Sequence, residues 1–113
     1  MIERVLCRLD DLVDGESRGF DPHGTRQDTV FVVRRGNDVR VYRDMCPHQG
    51  SPMAWRRHAY LNAARERIVC NAHGAQFEID TGVCVLGPCL GQSLQAVPYR
   101  IDAQDNVLVR LEQ

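Results

Sequence analysis

At 113 residues, 43% of them hydrophobic and 26% charged, the chain has the size and composition of one globular domain, 1–113, with no room for a second, catalytic one. Fourteen basic residues, all of them Arg, stand against 15 acidic ones for a formal net charge of −1, a balance that argues against a polyanion binder, so nucleic acid is not an expected partner. The amino-terminal MIERVLCRLDDLV is broken by charge every few residues and no apolar run has membrane-spanning length, which predicts a soluble, cytoplasmic chain with no membrane association.

In chain order, ERVLCRL reads as a first strand and is followed by an irregular acidic loop from Asp10 to Asp28. TVFVVRRGNDVRVY is the clearest hairpin: residues 29–34 and 39–43 are strand-like, and Gly36, Asn37 and Asp38 supply the turn. The stretch RDMCPHQGSPMAW is too punctuated for a helix or a long strand, and residues 49–69 look like an insertion between strands, with one short helical turn expected near residues 62–65. QFEIDTGVCVL makes a second hairpin bent at Asp80, Thr81 and Gly82, and QAVPYRI pairs with VLVRL across residues 103–106 in a third. With about eight short strands and little helical periodicity, the fold class is all-β.

Five cysteines, Cys7, Cys46, Cys70, Cys84 and Cys89, are an odd number in a chain without an export signal, which favours metal ligands plus free thiols over a disulfide framework. Cys46 and His48 are separated by Pro47 alone, and after 21 residues Cys70 and His73 are separated by two. Each pair lies in a turn-rich loop at a strand end, where Pro47 or Gly74 bends the backbone so that both side chains can aim the same way. Two facing loops would then offer two thiolates and two imidazoles, enough ligands for one metal centre. Tetrahedral zinc is one candidate, although zinc modules usually group Cys with Cys and His with His. One ligand of each kind per loop suits a two-iron cluster in which His replaces Cys on one iron.

The spacing C-x-H followed by C-x-x-H, together with Gly50, Gly74 and Gly87-Pro88, resembles the Rieske family from Val30 to Leu111. The resemblance implies one Rieske-type [2Fe–2S] cluster with Cys46 and Cys70 on one iron and His48 and His73 on the other. It implies an antiparallel β-sandwich or barrel with a cluster-binding subdomain, residues 44–90, inserted in a β base. The respiratory-complex branch has an additional Cys in each loop, forming a clamp disulfide; here Ser51 and Ala72 occupy those places, so the ferredoxin branch is the better match. The respiratory-complex branch also donates from a Ser and a Tyr to the cluster sulfurs, where this chain has Ala75 and Phe77. Fewer donors stabilise the reduced state less and place the expected midpoint low in the range of roughly −150 to +300 mV. The outer nitrogens of the two ligand imidazoles are expected to face solvent, as in the family, so that the midpoint drops at alkaline pH.

The expected work is one-electron transfer between redox partner proteins, from a reductase to a terminal oxygenase or similar acceptor, by a chain that is not itself an enzyme. The alternatives are a small subunit of a nitrite-reductase-like complex, a zinc-stabilised interaction module without redox role, and a redox sensor. His23 and His58 read as polar surface residues, while Trp55 and Tyr60 read as packing the insertion onto the cluster subdomain. Cys7 and Cys84 read as small buried hydrophobes. Cys89 follows the Gly-Pro pair closely enough for its thiol to influence the centre, and a Cys84–Cys89 disulfide is disfavoured in a reducing compartment. The insertion sums to +3 against −4 for the remainder, which reads as a solvated face before it reads as a steering patch.

Overall fold

The computed structural model describes residues 2–47, 50, 52–54, 56–70 and 74–111. Among them are nine strands: β1 (Ile2–Arg8), β2 (Ser17–Phe20), β3 (Val30–Arg35), β4 (Asp38–Arg43), β5 (Arg67–Cys70), β6 (Ala75–Glu78), β7 (Cys84–Leu86), β8 (Tyr99–Ile101) and β9 (Asn106–Leu111), with one 3-10 turn at Leu9–Asp11. They form three antiparallel sheets in the orders β1-β9-β8, β2-β3-β4 and β5-β6-β7. The all-β architecture is thus as expected, and no described helix is long and apolar enough to cross a membrane.

The run VFVV in β3 is apolar at consecutive positions because its sheet is covered on both faces. Side chains alternate across a strand. Val30 and Val32 therefore enter one apolar cluster with Val39, Val41, Val97, Val107, Val109 and Leu111, while Phe31 and Val33 enter another with Tyr42, Met53, Tyr60, Ile68 and Phe77. The β3-β4 hairpin separates these two cores, and β4 runs on directly into the first Cys-His loop.

Three local expectations change. β2 lies within the segment read as an irregular loop: SRGF is too short and too polar to announce a strand, and it forms because β3 offers it an edge from Ser17↔Val33 to Phe20↔Val30. Residues 62–65 make a hydrogen-bonded turn instead of a helical one. The Asn62 side-chain oxygen accepts from the amides of Glu66 (3.0 Å) and Arg67 (3.3 Å), drawing the backbone away from helix. In QAVPYRI only Tyr99–Ile101 is strand, with Ala96 making an isolated bridge to Tyr42.

The insertion packs on β2. The His58 carbonyl accepts from Ser17 Oγ at 2.7 Å and its ring Nδ1 accepts from the Gly19 amide at 2.9 Å, so His58 holds two elements together where a surface role was expected. Its neighbours use their charge internally: Arg57 reaches the Asp28 carboxylate through Nε at 3.0 Å and Nη2 at 3.2 Å, and Arg65 meets Glu16 at 2.9 Å. Much of the basic excess of the insertion therefore faces the acidic loop before β3.

Candidate metal centre

Cys46 follows β4 by three residues and Cys70 ends β5. Both are fully buried and belong to the same apolar cluster as Phe77, Cys84 and Cys89. Each begins a turn that closes in the same way: the Gly50 amide donates to the Cys46 carbonyl at 2.6 Å and the Gly74 amide to the Cys70 carbonyl at 2.8 Å. Gly50 and Gly74 have φ of +70° and +69°, a left-handed geometry that glycine adopts without steric cost. Two loops of unlike spacing, Cys-x-His and Cys-x-x-His, are thereby closed over the same four-residue interval, with the glycines exposed and the sulfurs inside. His48 and His73 lie outside the described residues, as do Ser51, Ala72 and Trp55.

The neck of the first loop is held by Asp44. Its Oδ1 accepts from the Met53 amide at 2.8 Å and its Oδ2 from the Tyr60 hydroxyl at 2.7 Å, so one carboxylate ties the residues flanking Cys46 to the insertion. Tyr60 in turn stacks on Phe31 with ring centroids 4.1 Å apart and an interplanar angle of 8°. Burial, and next the hydrogen bond to Asp44, push the Tyr60 phenol far up, which keeps it a donor. The packing expected of Tyr60 is present, but its hydroxyl's hold on Asp44 has no sequence signal, because 15 residues separate the two.

A third loop, after β7, covers the second. A Cβ on Gly87 (φ +101°) would stand 2.8 Å from Ala75 Cα, so this backbone rests directly on the start of β6. Beyond Pro88 the chain returns inward and buries Cys89, whose sulfur lies 3.8 Å from that of Cys46. None of the five cysteines is in a disulfide; Cys84 donates to the Leu86 carbonyl at 3.3 Å, and Cys7 lies in the other core, where burial pushes its thiol up to about 11. His23 is exposed, in line with its surface reading.

These donors suit an iron–sulfur cluster. Soft sulfurs are presented from an apolar interior, and no charged side chain is buried among the described residues to offer a hard oxygen donor instead.

Comparison with known proteins agrees with this geometry. The family model described as "Rieske [2Fe-2S] domain" matches residues 3–104. The ferredoxin component of the alkene monooxygenase system of Xanthobacter autotrophicus is 28% identical over 97 residues, covering 86% of this chain and 72% of that protein. Among solved structures, the ferredoxin of carbazole 1,9a-dioxygenase from Nocardioides aromaticivorans superposes with a TM-score of 0.75 at 26% identity, covering 99% of this chain and 100% of the other. The Sphingomonas yanoikuyae ferredoxin shares the fold, with a TM-score of 0.71 at 20% identity over 98% of this chain and all of its own. With the two buried cysteines, their paired turns and a family match running over almost the whole length, the chain belongs to the Rieske [2Fe–2S] domain family.

Proposed function

We propose that this chain is a ferredoxin: a one-electron carrier that takes electrons from a reductase and delivers them to an oxygenase or similar acceptor, using one cluster held by Cys46, His48, Cys70 and His73. The observation that carries this reading is the pair of glycine-closed turns at Cys46 and Cys70 in a chain matched by the Rieske model from residue 3 to 104. A [2Fe–2S] group with two thiolate and two imidazole ligands supplies a one-electron couple well above that of a four-thiolate plant-type cluster.

The chain's own residues bind and orient. Cys46 and Cys70 present their sulfurs from the interior, Asp44 fixes the first loop to the insertion, and Gly87 lets the third loop close on Ala75. Ala75 and Phe77 are fully buried and bring no hydroxyl to the centre, which supports a midpoint low in the Rieske window. Residues 44–90 act as a cluster-binding subdomain, a reading supported by the separate β5-β6-β7 sheet that they contain. Around the loops Met45, Leu86 and Leu90 are exposed at 42%, 56% and 68%, an apolar rim suited to brief contact with a redox partner. The carbazole dioxygenase relatives include a complex of oxygenase and ferredoxin, which makes an oxygenase the first acceptor to try.

The test is direct. Anaerobically purified protein should contain two irons and two sulfides and give the EPR spectrum of a Rieske centre on reduction. Cys46→Ser and Cys70→Ser should each lose it. A colourless protein with one zinc would establish the interaction-module alternative instead, and failure of the loaded protein to support any oxygenase would remove the carrier role.

A further inference from the structure

Cys89 is a buried cysteine outside both Cys-His pairs whose sulfur lies against that of a ligand candidate, Cys46. The Cys46 and Cys89 sulfurs are 3.8 Å apart, within the range of a hydrogen bond between sulfur atoms, and both residues are fully buried. The position of Cys89 is set by the backbone around it. Gly87 sits hard against Ala75, the Leu90 amide donates to the Gly87 carbonyl at 3.2 Å, and the Gln92 amide to the Cys89 carbonyl at 2.8 Å. The Cys84 amide then ties Gln92 back to β7 at 2.8 Å. These contacts fix the backbone that carries the Cys89 thiol.

We propose that Cys89 is a positioning residue that donates its S–H to the Cys46 sulfur and thereby raises the midpoint potential of the centre. Cys46 binds as a thiolate and has no proton to give, so the donor in the pair is Cys89. A hydrogen bond to an anionic acceptor strengthens as the negative charge grows, and the charge on the ligand sulfurs grows when the centre takes an electron. The reduced state is therefore favoured. Ala75 and Phe77 bring no side-chain donor, and Cys89 supplies one from a different loop. This inference rests on the proposed function, through Cys46 as a ligand.

The experiment compares Cys89→Ala, which removes the donor, with Cys89→Ser, which keeps one, after iron and sulfide have been measured in each. With cluster content intact, Cys89→Ala should lower the equilibrium constant for reduction by up to about tenfold, which for one electron is a drop of about 59 mV. Cys89→Ser should restore most of the difference and leave the EPR g-values close to the parent's. Equal midpoints in parent and Cys89→Ala overturn the proposal, as does loss of the cluster in Cys89→Ala with retention in Cys46→Ala, which would make Cys89 the ligand. Should Cys89→Ala not fold, the parent itself decides. Its reduced-minus-oxidised infrared difference spectrum should show an S–H band that moves to lower frequency on reduction and shifts in D2O, and a silent S–H region overturns the assignment. A parent that holds no iron or sulfide refutes the ferredoxin reading and this inference with it, whereas equal midpoints in loaded proteins refute this inference alone.

Discussion

Replacing Tyr60 by Phe removes one oxygen from the interior and tests what holds the first loop. The ring should keep its place, because its 4.1 Å stack on Phe31 does not involve the hydroxyl. What is lost is the 2.7 Å bond to Asp44, a neutral donor to an anionic acceptor. Bonds to charged groups contribute about 1.5–3 kcal/mol. For a chain of this length an m-value of about 1.5 kcal/mol/M in urea is reasonable, so the midpoint of the cluster-loaded protein should fall by about 1 to 2 M. Absorption of the centre and far-ultraviolet circular dichroism should report it together. Tyr60→Ala deletes the stack as well and should cost about 3–5 kcal/mol in all. A double-mutant cycle with Asp44→Ala isolates the bond: the two substitutions should be strongly non-additive, since either one alone breaks it. A Tyr60→Phe midpoint equal to the parent's, or additive effects in the cycle, would refute the role given to Asp44.

His58 gives a pH signature. Burial, followed by the charge of Arg57, holds its imidazole below the ordinary value, and its Nδ1 accepts from Gly19 only while unprotonated. With the folded value depressed, the stabilisation is full above a pH of about 6.5 and is lost as pH falls from there through the folded value. Melting curves between pH 8 and 5 should show that decline, and His58→Gln, whose amide oxygen can accept without titrating, should flatten it. Gly87→Ala should cost about 1–3 kcal/mol through the left-handed backbone alone, with the contact at Ala75 added, and loss of visible absorption in air should be faster than in the parent. Arg57→Ala, by contrast, removes an exposed guanidinium from Asp28 and should lower the urea midpoint less than Tyr60→Phe does.

The sequence was most informative where residue chemistry is scarce and spacing is short. Four candidate ligands in two loops, glycines four residues after each Cys, and the Gly-Pro pair announced the family. The β3-β4 hairpin was equally plain, because VFVV and the Gly-Asn-Asp turn are local signals. What stayed hidden depends on tertiary partners. SRGF becomes a strand because β3 has a free edge beside it, and His58 becomes a clamp because residue 19 arrives beside it from 39 positions away. The Cys46–Cys89 contact joins residues 43 apart, and only the backbone's path around Gly87 shows that the two sulfurs meet.

The partition made by β3 and β4 has a consequence for how the protein comes apart. Four of the five cysteines, Cys46, Cys70, Cys84 and Cys89, lie on one side of that wall, while Cys7, Val97, Val107, Val109 and Leu111 lie on the other. Removing the proposed cluster should therefore loosen one compartment and spare its twin. Amides of β1 and β9 should stay protected from solvent exchange after those of β5 and β6 have opened, leaving a half-folded species onto which the inorganic centre can be rebuilt.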